Sequence, residues 1–185
     1  MDADKLKDLT SVKVNKNKPS ARPKQAATGD YSQLYPGQQQ AIDKLSDWYF
    51  SNELECTLEG VAGSGKTFIL RYFLENIVNK SYTITAPTHK ALRVLESQVG
   101  RKGMTLHSLH GLKPNIDLQN FDIENPQFDP LNPSKIQNYN LVVIDECSMI
   151  NKDLFQLNRN RATTYNVKIL SVSYTHLTLP TIASV

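Results

Sequence analysis

The stretch Leu54-Glu55-Cys56-Thr57-Leu58-Glu59-Gly60-Val61-Ala62-Gly63-Ser64-Gly65-Lys66-Thr67 decides how the rest of the chain is read. Leu54, Cys56 and Leu58 alternate with polar residues and stop at Gly60, which predicts a strand feeding a turn. Gly60 to Thr67 then satisfies G-x-x-x-x-G-K-[ST] at every fixed position. After Thr67, the sets Ile69, Phe73, Ile77 and Leu70, Leu74, Val78 step by four, which predicts a helix with a wide apolar face. Strand, glycine loop and helix in that order give the motif a physical meaning. Gly60, Gly63 and Gly65 let the backbone curl so that successive N–H groups, including that of Ser64, turn towards phosphate oxygens, and the helix start adds its positive end. Lys66 is then placed to reach the β- and γ-phosphates, and the Thr67 hydroxyl to ligate Mg²⁺. The expected ligands are ATP and Mg²⁺. A glycine-rich turn with an exposed lysine is the plainer alternative, weakened by the strand and helix on either side.

Upstream, Gln38, Ala41, Ile42, Leu45, Trp48 and Tyr49 recur at three- and four-residue steps behind the turn Tyr35-Pro36-Gly37, which predicts an amphipathic helix. Downstream, Tyr82 to Ala86 reads as a strand leading through Pro87 into a helix over Lys90 to Gln98. Leu141-Val142-Val143-Ile144 is apolar on both faces and is expected at the centre of a covered sheet. Lys168-Ile169-Leu170 is a candidate fourth strand. Strands alternating with helices predict an α/β fold with a mainly parallel sheet and helices on both faces. The central strand ends in Asp145-Glu146, at the carboxyl edge where ligands of such sheets gather. Asp145 is expected to hold Mg²⁺ through water, and Glu146 to polarise the water attacking the γ-phosphate. Alone, such a pair is a solvated turn; the phosphate loop in the same chain favours hydrolysis.

With 185 residues the chain has room for one domain of ordinary size and not for a two-lobed motor. Its 39% hydrophobic and 21% charged residues describe a globular chain. No apolar run approaches the roughly 20 residues of a membrane-spanning helix, and the start, Met1-Asp2-Ala3-Asp4-Lys5, is unlike a secretory signal. A cytoplasmic compartment, with no membrane partner, is the expectation. The two cysteines, Cys56 and Cys147, are too few for a zinc ribbon or disulfide framework and read as buried thiols. A net charge of +3 permits nucleic-acid binding without demanding it. Residues 1–33 carry Lys5, Lys7, Lys13, Lys16, Lys18, Arg22 and Lys24 with few large apolar residues, and read as a basic, disordered arm, more a solvated tail than a polyanion clamp.

Further motifs sharpen the reading. Gly60 to Thr67, Thr85-Ala86-Pro87-Thr88-His89-Lys90-Ala91, Thr105-Leu106-His107-Ser108-Leu109-His110-Gly111 and Val143-Ile144-Asp145-Glu146-Cys147-Ser148-Met149 resemble motifs I, Ia, Ib and II of superfamily-1 DNA helicases, closest to the RecD/Dda branch. Leu34-Tyr35-Pro36-Gly37-Gln38-Gln39-Gln40-Ala41 resembles that branch's Q motif. The similarity covers about residues 34–157. It implies a RecA-like P-loop domain and ATP-driven movement 5′ to 3′ along single-stranded DNA, with Gln38 reading the adenine edge. It also implies that Pro87, Thr88, His89, Thr105 and His107 contact the strand through phosphate hydrogen bonds and packing against bases. Without the resemblance, His89 is a surface residue at a helix start and His107 a satisfied loop histidine; His110 is read as structural.

Between motifs Ib and II, apolar residues alternate on each side of Gln119-Asn120, which predicts a short hairpin over 115–124. The family places a strand-separating pin in this interval, so Phe121 becomes a candidate DNA contact. Asn125 to Pro133, with Pro126, Pro130 and Pro133, is expected to be loop. The RecA-like domain is taken as 34–170. From Ser171 the wording departs from the family and looks like adapter read-through, so 171–185 is taken as a foreign tail. The family also needs a second RecA-like domain, which supplies an arginine to the transferring phosphoryl group. This partner is absent from the sequence read here. The remaining alternatives are a non-helicase P-loop NTPase or kinase, for which no arginine-bearing lid is found, and a single-stranded DNA-binding module using the basic arm.

Overall fold

A computed structural model describes residues 10–14, 34–61, 63–114, 128–130 and 132–174. In chain order the elements are β1 (Thr10–Val14), α1 (Pro36–Phe50), β2 (Glu55–Gly60), α2 (Lys66–Asn76), β3 (Tyr82–Ala86), α3 (His89–Val99), β4 (Met104–Thr105), α4 (Leu106–Leu109), β5 (Leu112–Pro114), β6 (Phe128–Pro130), β7 (Leu141–Ile144), α5 (Lys152–Tyr165) and β8 (Lys168–Tyr174). Single 3₁₀ turns occupy Ile136–Asn138 and Cys147–Met149.

Local chemistry sets the helix ends. Pro36 opens α1, where its missing N–H is no loss, and the Gln38 Oε1 accepts the Tyr35 N–H at 3.2 Å. The Thr88 hydroxyl caps α3 by accepting the Ala91 N–H at 3.2 Å, and the helix stops at Gly100, in the left-handed region at φ 73°. Asn151 caps α5 at 2.8 Å from the Leu154 N–H, and Asn166 ends it at φ 54°.

The main sheet runs β1-β2-β8-β7-β3-β4. Its last five strands are parallel, and β1 joins the β2 edge antiparallel. The apolar run of β7 does what its composition predicts. It lies between β8 and β3, with every residue buried, and its alternate side chains feed two cores. Leu141 and Val143 join Leu45, Trp48, Ile69 and Phe73 beneath α1 and α2. Val142 and Ile144 join Leu106, Leu109, Leu154 and Ala162 beneath α4 and α5. The sheet is thus covered on both faces, the α/β P-loop arrangement expected. Among the described residues no helix is long and apolar enough to cross a membrane.

Burial on this scale makes a stability prediction. Leu170, fully buried in β8, is expected to cost about 2–5 kcal/mol when cut to Ala. Phe68, 54% exposed on α2, should cost no more than about 0.5 kcal/mol. Urea unfolding of the two variants checks the ranking, and equal losses would contradict this placement of the core.

Three boundaries differ from the sequence reading. Thr10–Val14, assigned to a disordered arm, forms a strand; Val12 and Val14 alternate with Ser11 and Lys13, but the period is too short to stand out among lysines. Phe128–Pro130, assigned to loop, pairs antiparallel with Leu112–Pro114. A proline at the end of an edge strand gives up no ladder bond there, which is why its presence does not forbid the strand. The expected hairpin over 115–124, Phe121 included, lies outside the described residues. Finally, β8 runs four residues beyond the expected limit at 170, with Ser171 and Val172 buried. Residues 171–174 therefore belong to the sheet, against the expectation of a foreign tail from 171; residues 175–185 lie outside the described residues.

Candidate nucleotide site and strand-binding edge

The carboxyl ends of β2, β7 and β3 carry the residues singled out by the motifs. Between β2 and α2 the chain turns through Gly63 at φ 79° and Gly65 at φ 84°, a conformation that favours glycine. Gly65 has a second reason to lack a side chain. A Cβ there would stand 2.6 Å from the amide nitrogen of Gln38, so the Q-motif glutamine rests directly against the phosphate loop. The Ser64 N–H donates to the Val61 carbonyl at 3.2 Å, and its buried hydroxyl has no hydrogen-bond partner. Lys66 is only 4% exposed. Its ammonium donates to the carbonyls of Gly60 at 2.6 Å and Val61 at 2.7 Å. Burial holds its pKa below the usual lysine range, partly opposed by the charge of Asp145. Thr67, half-buried, follows in the first turn of α2.

Across the sheet, the Asp145 N–H donates to the Thr85 carbonyl at 2.9 Å, and the Thr85 hydroxyl donates to the Val143 carbonyl at 2.8 Å. These bonds pin the end of β7 to β3. Thr85 thus positions the acidic pair, a role its place in a motif did not reveal. Burial pushes the Asp145 carboxyl up to about 6; the Glu146 N–H lowers it, the Glu146 charge raises it and Lys66 lowers it. Glu146 sits at φ 55°, ψ 39°, a left-handed conformation for a residue with a side chain. Such a backbone costs on the order of 1 kcal/mol or more and accumulates where function fixes the chain. Cys147 faces Ser173, and burial raises its thiol; the Cys56 thiol is pushed up to about 12, chiefly by burial. Cys56 is a buried free thiol, as expected, whereas Cys147 is free but only half-buried.

The donor set fits a nucleotide triphosphate with a divalent cation. A buried hydroxyl without a partner, a buried ammonium held against its own loop's carbonyls, and a half-buried carboxyl with a raised pKa all gain from phosphate oxygens and a cation. Among the described residues no cluster of three metal-ligating side chains occurs. Mg²⁺ does not need one, because it keeps several waters and takes one or two protein ligands beside phosphate oxygens.

At the other side of the same edge, Ala86 of β3 is in register with Thr105 of β4. The sheet therefore brings Pro87, Thr88 and His89 beside Thr105 and His107. Thr88 and His89 are exposed, and Pro87 and His107 half-buried, with burial lowering the His107 pKa. Thr105 is different: it is buried, and its hydroxyl accepts the Ser108 N–H at 3.2 Å and donates to the Ser108 Oγ at 2.9 Å. It holds α4 in place more than it faces solvent. His110 is fully buried, 3.1 Å from the Asn158 Oδ1, and burial pushes its pKa down to about 4, in keeping with its structural reading.

Fold and site together define a P-loop ATPase domain. A family model of the AAA domain matches residues 33–176, and the chain belongs to that family. The match passes the expected boundary at 170 and takes in all of β8. The chain is 33% identical over 155 residues to uncharacterized protein R530 of Acanthamoeba polyphaga mimivirus, covering 72% of this chain and 31% of that protein. It is 25% identical over 130 residues to the ATP-dependent DNA helicase dda of Enterobacteria phage T4, covering 69% and 28% respectively. The chain thus spans less than a third of the length of these curated relatives. It is an AAA-type ATPase domain related to Dda-like superfamily-1 helicases, as its motifs indicate.

Proposed function

We propose that this chain is the ATP-binding first RecA-like domain of a DNA-translocating ATPase that moves 5′ to 3′ on single-stranded DNA. The observation that carries the reading is the placement on one sheet edge of the phosphate loop, the Asp145-Glu146 pair and the β3–β4 segments of motifs Ia and Ib. A change at the nucleotide thus lies within one rigid sheet of the strand-binding candidates. Gln38 reads adenine while its amide touches Gly65, so base and phosphates are sensed by contacting residues. Gly60, Gly63, Ser64 and Gly65 form the phosphate cradle. The Lys66 ammonium exchanges its two carbonyl partners for β- and γ-phosphate oxygens. Thr67 and Asp145 hold Mg²⁺, which when bound neutralises charge on those oxygens. Glu146 orients the attacking water and accepts its proton. Thr88, His89 and His107 meet the strand, Pro87 packs against it, and Thr105 supports them through its cap on α4. Phe121 is the candidate wedge residue.

Exchange of Lys66 for Ala removes charge-assisted phosphate contacts of at least about 1.5–3 kcal/mol, roughly tenfold or more in ATP affinity. Titration of labelled ATP against wild type and Lys66→Ala tests the assignment. Equal affinities would place the nucleotide elsewhere.

A further inference from the structure

A pocket of about 610 Å³ opens at the opposite edge of the sheet from the phosphate loop, where β3, β7 and β8 begin. Its size suits a small organic ligand and exceeds what a bare ion needs. The chemistry of its wall is one-sided. Asn52, Asn79, Asn140 and Asn166 supply carboxamides, Lys80 and Lys168 supply ammonium groups, and among the described residues no carboxylate lines it. The acceptor ends of two carboxamides are already used. The Tyr49 hydroxyl donates to the Asn79 Oδ1 at 3.2 Å, and the Ser81 hydroxyl donates to the Asn140 Oδ1 at 2.9 Å. Their amide N–H groups remain as donors. Lys168 donates to the carbonyls of Trp48 at 3.2 Å, Ser51 at 2.9 Å and Glu53. It therefore contributes its field more than a contact, and the exposed Lys80 is the cation available to a ligand. Lys168 is pushed down to about 8, chiefly by burial, with Cys56 opposing, Lys80 adding to and Glu53 opposing the shift. Two ammonium groups thus repel across a donor-rich hollow.

We propose that this pocket binds a nucleoside phosphate, with its phosphate on Lys80 and the amides of Asn79 and Asn140, and its base against Phe50. A sugar phosphate fits less well, because it has no flat apolar face to set against the Phe50 ring. A base offers its own acceptors to the carboxamide N–H groups and a flat face to the half-buried Phe50 ring. The proposal is independent of the phosphate loop and names one chemistry with two sources, a free nucleotide or the terminal nucleotide of a strand.

The test uses the full chain carrying Lys66→Ala, so that binding at the phosphate loop is weakened, and follows the side-chain amide signals of Asn79 and Asn140 by NMR. AMP, inorganic phosphate and a short 5′-phosphorylated oligothymidylate are titrated separately. Saturable shifts of both amides with AMP alone assign the free nucleotide. Shifts with the oligonucleotide, with or without AMP, assign the strand end. Adding Lys80→Gln, an exposed change that folding should tolerate, is expected to weaken either response about tenfold or more. No shift with either nucleotide ligand, equal response to inorganic phosphate, or binding undiminished by Lys80→Gln would overturn the proposal.

Discussion

Glu146→Gln should slow ATP hydrolysis by about 10²–10⁴-fold, the range for loss of a positioned proton acceptor, while ATP affinity stays within a few-fold of wild type. The carboxamide keeps the size of the side chain and removes only its basicity. Two carboxyl groups stand side by side at the end of β7, and their environments separate their tasks. Asp145 is half-buried near Lys66, with its backbone tied to β3, and is suited to a cation. Glu146 is turned by its left-handed backbone away from the course of β7. Single-turnover hydrolysis with enzyme in excess reads the slow rates involved, and Asp145→Asn is the control. That change should weaken Mg²⁺ dependence, whereas Glu146→Gln should not. Wild-type rates in the Glu146→Gln variant would remove Glu146 from the chemistry.

What could be read from the sequence follows how local the governing physics is. β3 and β7 begin and end at the residues expected, Tyr82–Ala86 and Leu141–Ile144, because an unbroken apolar or β-branched run between polar turns leaves few alternatives. The helix over Lys90 to Gln98 is seen as His89–Val99. The phosphate loop was legible because fixed glycine spacing is itself a backbone instruction. β1 was missed because its alternation is brief and set among the lysines of the arm; a lysine on an edge strand such as Lys13 also discourages unwanted pairing. The end of β8 was missed because its serines are unremarkable until the sheet buries Ser171. At the site, the Thr85 bond to Val143, the rest of Gln38 on Gly65 and the capping role of Thr105 all depend on partners brought together by the fold. The pocket at the far edge is assembled from four separate connections, so no local pattern could mark it.

The 185-residue chain by itself should bind ATP yet hydrolyse it about 10³–10⁵-fold more slowly than a protein in which a second motor domain supplies an arginine to the transferring phosphoryl group. In the proposed reading, the candidate residues gathered at the ends of β2 and β7 serve the phosphates, the cation and the water, and the charge developing in the transition state needs a cation from outside this set. The arginines whose contacts are described are engaged elsewhere. Arg71 pairs with Glu75 at 2.8 Å along the exposed face of α2. Arg159 pairs with Glu55 at 2.6 Å, and Arg101 lies 4.0 Å over the ring of Tyr82. Glu55 and Tyr82 begin β2 and β3, at the sheet edge opposite the phosphate loop. Arg161 donates to the His110 carbonyl at 2.9 Å beneath α4. Moving any of them to the γ-phosphate would break a contact of the folded domain. The same reading predicts that single-stranded DNA does not stimulate the isolated chain, because in that reading stimulation comes from two domains closing together on one strand. Steady-state hydrolysis of the 185-residue chain with and without oligothymidylate, beside a chain extended through a second RecA-like domain, measures both effects. Fast, DNA-stimulated turnover by the short chain, linear in protein concentration, would show that the catalytic arginine lies within it; turnover rising with the square of concentration would show that a second copy supplies it.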